Sequence, residues 1–498
     1  MRISRRDAFG GLAGGVWLVN RADAQVTPEL VKLRPEIEPL AALIERTPRE
    51  KCAEMAVEQL RRGVSYRQFL AALFLAGVRN VNPRPPGFAL HCVFIIHSAH
   101  LLGMEAPSDC RLFPLFFALD DFKAAQERDA RAKTGDYTMR PIQGPLPSPE
   151  RAATDLIAAL EAWDIERAER AVVSLARHRR GPEIFHILWR YGARDYRNIG
   201  HKAIYAANAY RTLHTIGWQH SEPVLRSLVL SLLDFGKEQT VNGYALADQC
   251  YEGNLQRVKE SFPRLPATWT AEQPDKAATR GMLRSLATAT PAEVCTEAAS
   301  RLAKGVAATA IWDAVHLAAA ELKMRVRGGA AITGIHTVTS ANALHYAYLA
   351  SHDPQTRYML TLQAAGWMSQ FRKFAEEKPE NVRAFPITGL EPFSGASTVE
   401  DIVAGIPSKV DECASRVLTL AGNLHSRQEY LSTAVRLALT RSNEVHYYKY
   451  LASLMEDIPL VSPEWQPHLL AATVYYLKGS GDPEASVIKR AREVMKSL

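Results

Sequence analysis

Apolar residues recur at three- and four-residue spacing along most of the chain, and strict alternation is almost absent. That period lays one apolar stripe along a helix, so the pattern predicts an all-α protein with few strands. Residues 182–236 show it best, with helices expected over 182–195, 199–217 and 222–236. Pro182 and Pro223 stand where a first helical turn tolerates proline. Gly192, Gly217 and Gly236 stand where helices stop.

The same order recurs on either side. Helical patterns at 65–80, 87–103 and 112–125 form one triplet, and those at 309–325, 334–350 and 355–374 form another. Gly77-Val78-Arg79-Asn80 matches Gly192-Ala193-Arg194-Asp195 at the first turn of two triplets. A histidine stands near the start of each middle helix: His91, His201 and His336. Asn443 to Tyr448 reads as the start of a degenerate fourth copy. Repeated units bury their apolar faces on one another, but the uneven spacing argues against an open superhelix. The expected fold is therefore a closed helical domain built from about three pseudo-repeated helix triplets.

The expected organisation is an export signal at 1–24, an N-terminal helical region with the first triplet at 25–130, and a polar Pro/Gly-rich loop or lid at 131–149. Residues 150–498 hold the other two triplets and the C-terminal helices. Arg2, Arg5 and Arg6 precede a short apolar run and Ala22-Asp23-Ala24, the pattern of a cleaved signal. Ser4-Arg5-Arg6-Asp7 is similar to a twin-arginine motif, which makes the Tat export machinery an expected partner. An ordinary signal that happens to contain Arg-Arg is the alternative. The mature chain is expected to be soluble, periplasmic or secreted after cleavage near Ala24, with no stable membrane insertion.

The net charge of +7 is modest and spread along the chain, with no basic run interleaved with aromatics, so nucleic acid is not an expected partner. The six cysteines form no C-x-x-C, which excludes a c-type haem or a zinc ribbon by pattern. Cys92 could pair with Cys110 after export, but buried free thiols are the expectation for most of the six.

Glu183 with His186, and Asp313 with His316, are carboxylate-x-x-His pairs, which share a helix face as in di-iron bundles. With 15 histidines and 53 carboxylates in 498 residues, chance supplies about two such pairs, the number present. Only their alignment in the triplets gives them weight. A ferritin-type site also needs bridging glutamates on further helices, and the matching helix at 65–80 has none.

His91, His97 and His100 lie on a strongly apolar helix, so their rings face the interior or line a cavity. A buried imidazole is costly unless hydrogen-bonded or metal-bound. Core histidines bonded to carbonyls are the plain alternative. The recurrence of His91, His201 and His336 favours a common pocket, where they could ligate Fe, Cu or Zn, hold a haem, or act as acids and bases. Asp195, Arg197 and Arg211 are expected to form a buried ion-pair network at the turn before the second helix. No dinucleotide, P-loop, zincin or nucleophile-elbow motif occurs.

The segments GIHTVTSANALHYAYLA and IGHKAIYAANAY are similar to the histidine-led helices of the questin oxidase-like family, a resemblance that spans residues 65–374. It implies a mostly helical fold and an oxidative, Baeyer–Villiger-type reaction on an aromatic polyketide-like substrate. His336, Thr337, Val338 and Thr339 match the H-x-V-T-x-A pattern, and His201 matches it more loosely. The export signal departs from that family, and a periplasm lacks NADPH, so the electron source would differ.

The expected protein is an exported oxidoreductase, metal- or haem-dependent or oxygenase-like, acting on an aromatic or apolar small-molecule substrate. His336, His201, Asp313 and Thr339 are the expected catalytic residues. His91, His97, His186, His316 and Glu183 are the expected metal ligands, with Fe, Cu or haem as the cofactor. The competing expectation is a non-catalytic helical-repeat scaffold or ligand-binding protein with core histidines.

Overall fold

A computed structural model describes residues 30–132, 137–236 and 249–496. The expected export signal lies outside them. The described chain is α-helical, and one isolated antiparallel bridge, Val326 to Val382, is its only extended pairing. No described helix is long and apolar enough to cross a membrane.

The first expected triplet is Tyr66–Asn80, His91–Glu105 and Phe113–Ala130. The second is Gly181–Gly192, His201–Ile216 and Ser221–Leu232, and the third is Ala308–Arg325, Ala331–Ala350 and Pro354–Glu376. Within each, the three helices pack on one another. Local sequence fixes several starts. Ser65 and Gln68 form a reciprocal capping box ahead of Tyr66, and Asp353 accepts from the Gln355 and Thr356 amides ahead of Pro354–Glu376.

Four helices form the centre: His91–Glu105, His201–Ile216, Ala331–Ala350 and Val445–Asp457. Each packs on two of the others in a closed ring, in that order. His91–Glu105 and Ala331–Ala350 are buried nearly all round, which explains why their sequences are apolar on every face. Residues near the four N-termini meet in one layer, and residues six to eleven positions on meet in another. The four helices therefore run parallel, with their N-termini gathered at one end.

Asp195 is fully buried and accepts from Lys202 Nζ at 2.8 Å and Arg197 Nε at 3.2 Å. Burial alone would raise its pKa, but these two cations hold it below the usual range. Arg211, expected in the same network, is not part of it. It lies nine residues beyond Lys202 on one helix, about 13 Å away, and pairs with Glu456 at 3.0 Å.

Candidate metal centre

His91 and His201 each open a helix, and His336 lies one turn into its own. One ring nitrogen from each of the three lies within 4.8 Å of the other two, and all three residues are buried. His201 Nε2 is 3.0 Å from His336 Nε2 and 3.3 Å from His91 Nε2. The opposite nitrogens of two rings are already committed. His201 Nδ1 lies 2.6 Å from the Asn198 carbonyl, and His336 Nδ1 lies 2.8 Å from the Ile332 carbonyl. A carbonyl only accepts, so each Nδ1 carries the proton and each Nε2 is a bare lone pair. Two bare lone pairs facing at 3.0 Å repel unless a cation lies between them.

The turn ahead of His201 is unusual. Asn198 and Ile199 both take left-handed conformations, at φ 57° and 48°, and Gly200 follows at φ 81°. A β-branched residue in that region is strained, and such strain clusters at functional sites. A Cβ on Gly200 would lie 2.1 Å from Ser340 Oγ, so the position needs glycine for space as well as for its φ. Asn198 Nδ2 donates to the Pro86 carbonyl at 2.5 Å, which ties the turn to the segment before His91.

A fourth imidazole stands beside the three. His446 lies in the first turn of Val445–Asp457, with its ring centroid 4.9 Å from that of His91 and 5.1 Å from that of His336. Its Nδ1 donates to Glu444 Oε2 at 2.6 Å, and its buried Nε2 has no protein partner. A carboxylate behind an imidazole is the usual orienter of a metal-bound histidine.

Burial first, and then the charge of Lys449 and the neighbouring rings, hold His91, His201 and His336 well below the ordinary histidine pKa. Lys449 is itself buried without a hydrogen-bond partner, and burial pulls its ammonium down to about 7. The imidazoles are thus neutral at physiological pH, the state a metal requires.

A second polar layer lies about one to three turns further along the helices. A cavity of about 10 Å³, room for a single water, is lined by His97, Asn208, Arg211, Thr339, Lys449 and Glu456, among others. Glu456 accepts from His97 at 2.8 Å and pairs with Arg211. Burial alone would raise its carboxyl, but Arg211 and His97 hold it down to about 2. Asn342 donates to Asp457 at 2.8 Å, Asp457 faces His316 Nδ1 at 3.3 Å, and His316 Nε2 meets His345 Nδ1 at 2.8 Å.

The structure therefore brings together three of the expected residues, His91, His201 and His336. Thr339 lines the cavity just below them. His97 and His316 belong to the second layer. His97 lies six residues past His91, about 9 Å down the helix axis, and cannot share its layer. Asp313 caps a different contact, accepting from the Ser462 amide at 2.9 Å and the Ser462 hydroxyl at 2.5 Å. His186 lies beside His352, 5.5 Å between centroids with the rings tilted, and Glu183 is exposed, so neither reaches the cluster. Sequence reasoning did not single out Lys449 and Glu456. In the sequence the start of Val445–Asp457 reads only as a degenerate copy, and His446 is the signal that could have found them.

Comparison with family models, with curated proteins and with solved structures finds no match to this chain.

Proposed function

We propose that the chain is a metal-dependent oxidoreductase. Its centre is a single ion held by His91, His201 and His336, with His446 as a fourth ligand or as the neighbour of an open position. The observation that carries this reading is the facing pair of Nε2 lone pairs on His201 and His336, each with its Nδ1 proton fixed on a carbonyl. Nitrogen ligands about 2.0–2.1 Å from one ion stand a little over 3 Å apart, which fits the separations of His201 from His336 and from His91. The same closeness leaves no plane for a porphyrin between the rings and favours a bare ion over haem. Imidazole donors suit Fe, Cu and Zn, and the first two supply redox chemistry.

Every donor in the set is neutral, so a divalent ion would keep its full charge. The N-termini of the four helices add further positive potential at the same end. Such a centre recruits an anionic oxygen ligand, either hydroxide or an ionised phenol or enol. That preference agrees with the aromatic substrate class implied by the questin oxidase-like resemblance of the His201 and His336 helices. The twin-arginine pattern at Arg5-Arg6 supports export of the folded, metal-loaded chain.

The test is metal analysis of the purified full-length protein, with equilibrium titration of Fe(II), Cu(II) and Zn(II) into metal-free protein. One tightly held ion per chain supports the proposal. No stoichiometric ion, and no saturable binding of any of the three, would leave a helical scaffold with core histidines.

A further inference from the structure

We propose that Cys250 and Cys295 form a peroxide-reactive thiol pair, which closes to an internal disulfide beside Gly366. The two residues lie on Gln249–Glu260 and Pro291–Ala303, and both of these helices pack on Pro354–Glu376. A Cβ built on Gly366 would lie 2.8 Å from Cys295 Sγ and 2.9 Å from Cys250 Sγ. Both sulfurs therefore crowd one spot that only glycine leaves open. Both thiols are reduced and buried.

The surroundings make the two sulfurs unequal. Asn254 Nδ2 points at Cys295 Sγ at 3.5 Å. That amide is fixed in orientation, because its Oδ1 accepts from Arg257 at 3.1 Å and its Nδ2 also donates to Gln363 at 2.8 Å. The Cys250 thiol, the Asn254 amide and the Gly366 N–H face Cys295 as donors, while in its protonated state the Cys295 thiol donates to the Leu362 carbonyl at 3.4 Å. Donation from Cys250 is the largest influence that pulls Cys295 below the ordinary thiol range, and the same bond pushes Cys250 up. The other cysteines, Cys52, Cys92, Cys110 and Cys413, are all pushed up, by burial. Cys295 is the attacking thiolate, and Cys250 is placed to resolve it.

The chemistry balances with hydrogen peroxide as oxidant. The Cys295 thiolate attacks one peroxide oxygen, the O–O bond breaks, and the departing hydroxide takes a proton to leave as water. Cys295 becomes a sulfenic acid. Cys250 Sγ then attacks that sulfur, the S–O bond breaks, and hydroxide leaves with the Cys250 proton as a second water. Two thiols have lost two electrons and two protons, and one peroxide has become two waters.

The experiment treats the full-length protein, with chelator present, with a small excess of hydrogen peroxide. The protein is then alkylated under denaturing, non-reducing conditions and mapped by peptide mass spectrometry. The expected result is one cross-linked peptide pair joining Cys250 and Cys295, lighter by two hydrogens, with the other four cysteines alkylated. In a Cys250→Ser variant, dimedone should label Cys295. The proposal is overturned if all six cysteines remain alkylatable while the exposed Met104 is oxidised. It is equally overturned if oxidation falls on another cysteine, or if Cys295 over-oxidises while Cys250 stays free.

Discussion

His201 and His336 turn their Nε2 atoms toward each other across 3.0 Å, although each has given its only ring proton to a backbone carbonyl. The two lone pairs cannot satisfy each other, because each ring is an acceptor there, and His91 Nε2, 3.3 Å from His201 Nε2, carries at most one proton to offer. The carbonyls orient the rings, the parallel helix starts bring them together, and burial keeps them neutral. A cation bound between them, as proposed, would complete the arrangement.

If these lone pairs hold an ion, His201→Ala and His336→Ala should each weaken metal binding by more than the roughly 10–100-fold typical of losing an outer orienting partner. His97→Ala should leave metal affinity unchanged, since its ring serves Glu456. Competition titration against a zinc chelator separates the two outcomes. Equal losses for His97→Ala and His336→Ala would place the ion in the lower layer instead.

Glu444 tests the fourth imidazole. Its carboxylate accepts from His446 Nδ1 and from the Tyr476 hydroxyl at 2.7 Å. Glu444→Gln keeps the shape but removes the charge behind the ring, and should cost about 10–100-fold in metal affinity if His446 ligates. An unchanged affinity, with folding intact by circular dichroism, would confine the ligand set to the other three histidines.

Gly200 answers for the geometry of His201. Gly200→Ala should destabilise the protein through its positive φ, about 1–2 kcal/mol, and through the collision with Ser340 Oγ. Adding Ser340→Ala should recover the collision and leave the backbone cost. Denaturant unfolding of the single and double variants reads both, and full recovery in the double variant would show that the φ of Gly200 is immaterial.

The metal-free protein should be sensitive to acid. His91, His201, His336 and His345 all titrate well below 6.5 in the folded state, because burial opposes their charging. Above pH 6.5 they are neutral whether folded or not, and contribute no pH dependence. Below it the unfolded chain takes up protons that the folded chain refuses, so stability falls as pH falls, by up to about 1.4 kcal/mol per pH unit for each ring. Lys449 adds the same sign at higher pH, from 10.5 down to about 7. Chemical unfolding at pH 7.5, 6.0 and 5.0 should show a steady loss, and a flat profile would contradict neutral burial.

The helices were legible because a 3.6-residue apolar period survives almost everywhere in this chain. The shared layer of His91, His201 and His336 was legible for a narrower reason: each stands near the start of a helix that follows a similar one. The finer assignment was not. Whether His97 or His446 shares that layer depends on how far each helix is shifted along its neighbours, which packing decides. Lys449 and Glu456 lie on a helix with His446, Ser453 and Asp457 among its apolar positions, and only the convergence of four helices brings Glu456 to His97 and Arg211 and seats Lys449 beside the histidines. Glu183 and His186 looked equivalent to Asp313 and His316 by spacing. The helix that carries Glu183 packs outside the central ring, which leaves that carboxylate at the surface.

X-ray absorption on the protein loaded with one equivalent of Fe(II) or Zn(II) tests the centre most directly. Three or four nitrogen scatterers at about 2.0–2.1 Å, with the multiple-scattering pattern of imidazole rings, are predicted. A first shell of oxygen or sulfur with fewer than two imidazoles would contradict the assignment.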